Sequence, residues 1–342
     1  MVGEIIKIAF PNEEQDQELT ILVGDVGGTK TNLAIYRVQG RHSQILHKGK
    51  FRSADYRSLE LMIKEFLPDG LQPDRLSVGV AGPVFDGRAM ITNLSWEIDQ
   101  AKLIRNTGIP QVFVINDLVA SAYGLAGLTG GDIMTIHAGD RSVKGNAVII
   151  SPGTGLGEGG LFFDGTKYHP FGSEGGHADY APETKTDIQL FQWLQKKYGH
   201  VSWERVVSGK GILEIYAFLT RCDLSAAAGV ITEKFKAKDP AAAISLGARE
   251  GDSICEQTMQ IFLRNLANEA GNLVMKLMGT GGVFIGGGIV PKNLGVLQKR
   301  AFVDYFLEAG RMGTLLSKVP VHIVLNEDTA LIGANLYGYY NT

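Results

Sequence analysis

Two stretches decide the fold: Ile21–Tyr36, ILVGDVGGTKTNLAIY, and Val148–Phe163, VIISPGTGLGEGGLFF. Each runs from an apolar segment through a glycine-rich polar turn into a second apolar segment, the pattern of a β-hairpin. One such hairpin in each half of a 342-residue chain implies duplicated domains facing each other. Outward from them, Leu76–Val80, Val112–Ile115 and Val283–Ile285 read as further apolar strands. Helical spacing joins Leu59, Met62, Ile63, Phe66 and Leu67 up to Pro68, and Leu190, Phe191, Leu194 and Tyr198 up to Gly199. The longest helix is expected from about Glu256 to Met278, with Met259, Phe262, Leu266, Ala270, Leu273 and Leu277 as its buried stripe and Gly279 closing it. Alternating strands and helices give an α/β protein, and the length favours two domains with a ligand cleft between them.

Composition narrows the class. There are 44 glycines but only 11 prolines and no G-X-Y period, which excludes a collagen-like chain. The net charge is -3 with no run of five like charges, so no electrostatic footprint for nucleic acid or anionic lipid is expected. Cys222 and Cys255 are far apart and form no metal-binding pair, pointing to a reducing, cytoplasmic setting. Neither a secretory signal nor a membrane span is read from the chain.

Several segments carry chemistry. In Asp25-Val-Gly-Gly-Thr-Lys30, Gly27 and Gly28 let backbone N–H groups approach an anion, Thr29 can donate to a phosphate oxygen, and Asp25 could hold the water shell of Mg²⁺. The alternative is a tight turn with no ligand. No Walker A pattern is present. Ser151-Pro-Gly-Thr-Gly-Leu-Gly-Glu158 repeats the plan with Gly153 and Thr154, and fails as a G-x-G-x-x-G fingerprint because its last glycine comes one place early. Gly286, Gly287 and Gly288 would let a base or ribose lie on bare backbone, or simply end a buried strand. Asp117, after Asn116 at a strand end, stands where α/β proteins bind ligands, and is equally a good helix cap. Phe171–Asp179 offers Glu174 and His177 on a glycine-loosened loop suited to a polyol. His169, Glu174 and His177 match no standard zinc spacing. Glu204 is a further candidate, with a solvated helix face as its alternative.

In order and separation, LVGDVGGTKT, VAGPV, TNLSW, VINDL, PGTGLG, GSEGGHADYAP, GHVSWERVVSG and GGVFIGGGIVP resemble the bacterial, proteobacterial-type glucokinase family over residues 19 to 338. The resemblance implies a two-domain actin-like ATPase (ribonuclease H-like) fold. It divides the chain into an extension at 1–18, a small domain at 19–127 plus 322–342, and a large domain at 128–321. It implies ATP-dependent phosphorylation of D-glucose at the 6-hydroxyl, with Asp117 as general base. Asn93, Asn116, Glu174, His177 and Glu204 would bind the sugar. Asp25, Gly27, Gly28 and Thr29 would line the phosphate site, Gly153 and Thr154 the opposing clamp, and Gly286 to Gly288 the adenosine. Mg²⁺ would be held by Asp25 through water, and a homodimer is expected. Many proteobacterial members have Asn-Ala-Arg where this chain has Lys30-Thr31-Asn32, so no family role passes to those side chains; Lys30 could help neutralise phosphate or face solvent.

Other readings are a broader hexose kinase acting on mannose or glucosamine, and a sugar-sensing protein without catalysis. A repressor/ORF/kinase-type sugar kinase would share DVGGTKT, but its usual cysteine-rich zinc motif cannot be made by two distant cysteines.

Overall fold

The structure, a computed structural model, describes residues 6–91, 94–140, 142–295 and 299–341. The chain divides into two compact units, one of Met1–Asp132, Leu161–Ser173 and Asn326–Thr342, the other of Ile133–Gly160 and Glu174–Leu325.

In the amino-terminal segment of the first unit the strands are β1 (Leu19–Val26), β2 (Lys30–Gln39), β3 (His42–Arg52), β4 (Arg75–Val80), the short β5 (Val84–Phe85), β6 (Arg88–Ile91) and β7 (Trp96–Asp99), and β8 (Gln111–Asn116). The main sheet has the order β3-β2-β1-β4-β8, while β5, β6 and β7 form a small separate sheet. Strands β1, β2 and β3 pair antiparallel, whereas β1, β4 and β8 run parallel. Alternate residues of β1 reach opposite faces: Leu22 packs with Leu59, Met62 and Phe66 of helix Leu59–Phe66, and Ile21 and Val23 pack with Leu331 and Ala334 of helix Thr329–Tyr340. With both faces covered, β4 is buried along its whole length.

That second helix crosses Asp117–Gly124 with glycine on each side of the contact. A Cβ at Gly333 would stand 1.7 Å from the Ala120 carbonyl oxygen, and one at Gly124 would stand 2.0 Å from the Thr329 carbonyl oxygen. The segment read as an extension is built into this unit: Ile6 and Ile8 are buried, and the Ala9 N–H donates to the Tyr168 carbonyl at 2.9 Å.

The remaining strands are β9 (Ile133–His137), β10 (Ala147–Pro152), β11 (Leu156–Phe163), β12 (Tyr168–Ser173), β13 (Gly282–Ile285) and β14 (Val321–Val324), in the order β12-β11-β10-β13-β14-β9. Leaving β9 aside, this repeats the first sheet: a hairpin strand in the middle, its two successors on one side, two later parallel strands on the other. The duplication read from the two hairpins is therefore a duplication of whole sheets. Helix Ser253–Leu277 buries Met259, Phe262, Leu266, Ala270 and Leu273 as expected, while Leu277 is only partly covered. Its left-handed closing residue is Met278 at φ 50°, not Gly279. Gly279 is needed for packing instead, because a Cβ there would meet Val148 Cγ1 at 2.7 Å. Among the described residues no helix is long and apolar enough to cross a membrane.

Candidate active site

In the first unit, the parallel register aligns Asp25 with Gly79 and Gly79 with Ile115, and one step on it aligns Val26, Val80 and Asn116. Asp25 and the Asn116–Asp117 pair therefore share the carboxyl edge of β1, β4 and β8, where open α/β sheets bind ligands. Gly79 makes the approach possible, since a Cβ there would come within 2.9 Å of Ala120 Cβ and 3.3 Å of Asp117 Cα.

Asn116 and Asp117 divide their duties differently from the sequence expectation. The helix cap is Asn116, whose Oδ1 accepts from the N–H groups of Leu118 at 2.9 Å and Val119 at 3.1 Å, while its Nδ2 donates to the Gly82 carbonyl at 3.0 Å. Asp117 is the first residue inside the helix, half-buried, and its Oδ1 accepts from the Leu118 N–H at 2.9 Å. A helix N-terminus favours negative charge there. Asn116, with both side-chain polar atoms engaged, is placed to orient this turn.

The first glycine turn is braced from beneath. The Gly27 N–H closes the hairpin on the Lys30 carbonyl at 3.0 Å, and Ser53 Oγ donates to the Gly27 carbonyl at 2.7 Å. Gly28 is half-exposed, and Thr29 and Lys30 are exposed. Asp25 is held by Asn32, whose Nδ2 donates to Oδ2 at 2.9 Å. Burial pushes the Asp25 carboxyl above its ordinary range, with the Asn32 bond and the Lys30 charge acting the other way. Such a carboxylate, lacking full charge compensation from the protein, fits an oxygen ligand for a hydrated divalent cation. Burial and neighbouring Lys50 hold the Lys30 ammonium below its usual value.

The second unit repeats the device. The Gly153 N–H closes its turn on the Gly155 carbonyl at 2.8 Å, the Gly209 N–H donates to the Gly153 carbonyl at 2.9 Å, and Thr154 is exposed. Strands β10 and β13 align Ile150 with Ile285, and this brings the third glycine cluster beside the turn. The Gly286 N–H donates to the Ile150 carbonyl at 2.9 Å. Gly287 has φ +75°, and a Cβ on it would lie 2.3 Å from the Pro152 carbonyl oxygen, so its identity is fixed by the backbone as well as by any ligand. Gly288 precedes the short helix Ile289–Lys292.

The polyol loop is shorter than read. Phe171–Ser173 end β12, and Gly175–His177 form one 3₁₀ turn after Glu174. Glu174 and His177 are exposed, with His177 Nε2 3.8 Å from Glu174 Oε2. Glu204 lies in the turn Trp203–Arg205 and is not on a solvated face: half-buried, its Oε2 accepts from the Leu156 N–H at 3.1 Å. Gly155 is bare for this reason, since a Cβ on it would stand 2.4 Å from that oxygen. The Trp203 N–H donates to the Ala178 carbonyl at 3.1 Å, tying the Glu174 and Glu204 segments together.

Asn93 lies outside the described residues. Among those described, no group of three or more His, Cys, Asp or Glu is arranged to hold a metal ion, and His169 pairs with Asp164 at 2.7 Å. Three contributors escaped the sequence reading. Asn32 and Ser53 reveal themselves only through strand register, although Asn32 is seven residues from Asp25 across a recognisable hairpin. The third is Glu158, a buried acid beneath the Glu174–His177 turn.

Residues 22–340 match the family model described as Glucokinase. A protein of Trichormus variabilis named Glucokinase is 40% identical over 336 residues, spanning 92% of this chain and 98% of its own. The crystal structure of a glucokinase from an Antarctic psychrotroph is similar with a TM-score of 0.76 and 31% identity, covering 95% of this chain and 100% of that one. A ROK family glucokinase from Streptomyces griseus, solved with glucose and AMPPNP, shares the fold with a TM-score of 0.64 at 20% identity, over 94% of this chain and 100% of that one.

Proposed function

The chain belongs to the glucokinase family, and from that premise we propose that it transfers the terminal phosphoryl group of ATP to the 6-hydroxyl of D-glucose, giving glucose 6-phosphate and ADP. Its paired sheets are those of the actin-like ATPase fold, which the glucokinase and ROK structures share. The observation that carries the mechanism is Asp117: a half-buried carboxylate in the first turn of a helix, at the same sheet edge as Asp25, oriented by the Leu118 N–H on its Oδ1 and preceded by the capping Asn116.

Phosphoryl transfer passes through a loose transition state that asks for positioning and charge neutralisation more than for covalent help. A sugar hydroxyl still needs an acceptor for its proton as the new P–O bond forms. Asp117 takes that proton, a contribution on the order of 10²- to 10⁴-fold. Glu174, His177 and Glu204 bind glucose hydroxyls, the carboxylates accepting and the imidazole donating or accepting; Asn93 belongs to the same set by family likeness. Asn116 acts on the sugar mainly through the turn it caps. Gly28, Thr29 and Thr154 offer donors to the ATP phosphates, with Gly27 and Gly153 closing the two turns, while Lys30 adds positive charge and Gly286–Gly288 leave room for adenosine. Mg²⁺ fits Asp25 through a water shell and would supply neutralisation of the phosphate charge. The same family reading carries a cytoplasmic homodimer, for which sedimentation of the purified protein should give twice the 36.9 kDa chain mass.

A coupled assay of the purified protein across hexoses and phosphate donors tests the activity. Glucose with Mg-ATP should be the preferred pair. Equal turnover of mannose or glucosamine would replace a glucokinase by a broader hexose kinase, and transfer to no sugar would end the proposal.

A further inference from the structure

Strand β11 begins by collecting the segments assigned to sugar. The Leu156 N–H holds Glu204 Oε2 at 3.1 Å. The Leu156 carbonyl oxygen lies where a Cβ on Gly176 would come within 2.1 Å. Two residues on, and so on the same face of the strand, Glu158 Oε2 lies where a Cβ on Gly175 would also come within 2.1 Å. The turn that presents Glu174 and His177 therefore rests with its two glycines flat on β11, one over a peptide carbonyl and one over a carboxyl group.

An acid is a costly residue for that slot. Glu158 is 1% exposed, and taking a carboxyl group out of water costs free energy that an apolar side chain would not. It faces a second buried acid, Glu269 of helix Ser253–Leu277, whose carboxylate is held by Lys276 Nζ at 3.0 Å and Asn272 Nδ2 at 3.0 Å. Burial first, and Glu269 second, push the Glu158 carboxyl up to about 8, with Lys276 pulling the other way. Near neutral pH Glu158 is thus mostly protonated, keeping an O–H donor and a carbonyl acceptor against the loop backbone where a leucine would keep neither.

We propose that Glu158 is a positioning residue for the turn Gly175–His177, setting glucose affinity by the contact of its carboxyl group with Gly175. The inference rests on the reading of Glu174 and His177 as sugar ligands.

Steady-state kinetics of the full chain separates the two ideas. Glu158→Leu should raise the glucose KM about tenfold with kcat and the ATP KM within about twofold, and Glu158→Gln, which keeps donor and acceptor, should restore the wild-type glucose KM to within about threefold. An unchanged glucose KM in Glu158→Leu, or a Gln variant as impaired as the Leu variant, overturns the assignment. Should Glu158→Leu not fold, Gly175→Ala and its combination with Glu158→Ala give the same answer. The added methyl should raise the glucose KM in the wild-type background and have little further effect once the carboxyl is gone, whereas independent, multiplying effects contradict the contact. Glu174→Gln serves as the control: no change in its glucose KM defeats the sugar-loop reading itself, while a raised KM there beside an unaffected Glu158→Leu defeats only the role of Glu158.

Discussion

At the scale of single residues, side-chain geometry assigned what sequence left open. Asn116 and Asp117 are both good helix caps by type, and only the extended backbone of Asn116, φ -66° and ψ 144°, shows which of them caps. Asn116→Ala should therefore lower unfolding free energy by about 1 kcal/mol in a urea titration, and disturb turnover through the displaced first turn. Glu158 was illegible for another reason: GEGG inside a glycine-rich run carries no periodic signal that it is buried. Its ionisation makes a pH prediction. The unfolded chain releases this proton near the ordinary glutamate value of 4.5, the folded chain at about 8, so between those limits the folded state binds more protons. Stability supplied by this group is full below 4.5 and falls as pH rises through about 8, by on the order of a few kcal/mol. Denaturation at pH 6 and pH 8 should show wild type losing more stability across that interval than Glu158→Gln; equal losses would mean that Glu158 does not carry the buried proton.

Elements were more legible than their contacts. Strand–turn–strand patterning placed both hairpins, and the stops at Pro68 and Gly199 placed two helices, because apolar period and backbone restriction are local properties. The close of the long helix was misplaced by one residue, since Gly279 answers to Val148, a residue remote in sequence. The crossing of Asp117–Gly124 with Thr329–Tyr340 was likewise invisible, being made by glycines some two hundred residues apart. Their closeness gives a prediction at this scale. Gly333→Ala drives a methyl into the Ala120 carbonyl oxygen, a backbone atom that cannot swing aside, and should destabilise by about 1–3 kcal/mol, with a lower thermal midpoint and reduced turnover because the helix carrying Asp117 must shift. A midpoint unchanged by this substitution would contradict the packing.

For the whole molecule, part of the glycine content belongs to two like sheets, each opened by a turn whose first glycine closes the hairpin and whose neighbours leave backbone bare. The echo of sixteen residues was enough to announce the duplication, and the family resemblance implied that the carboxyl-terminal tail rejoins the amino-terminal domain, but nothing in the sequence announced that Leu161–Ser173 groups with that unit too. Accepting a proton and binding sugar hydroxyls are separate duties, so substitutions at Asp117 and at Glu174 should fail in different kinetic terms. Glu174→Gln should raise the glucose KM with a smaller effect on kcat. The most direct measurement of the central claim is turnover of Asp117→Asn beside its glucose affinity from calorimetry. The account predicts kcat reduced by about 10²- to 10⁴-fold with glucose Kd within about tenfold of wild type. Turnover retained near the wild-type rate would contradict Asp117 as the base.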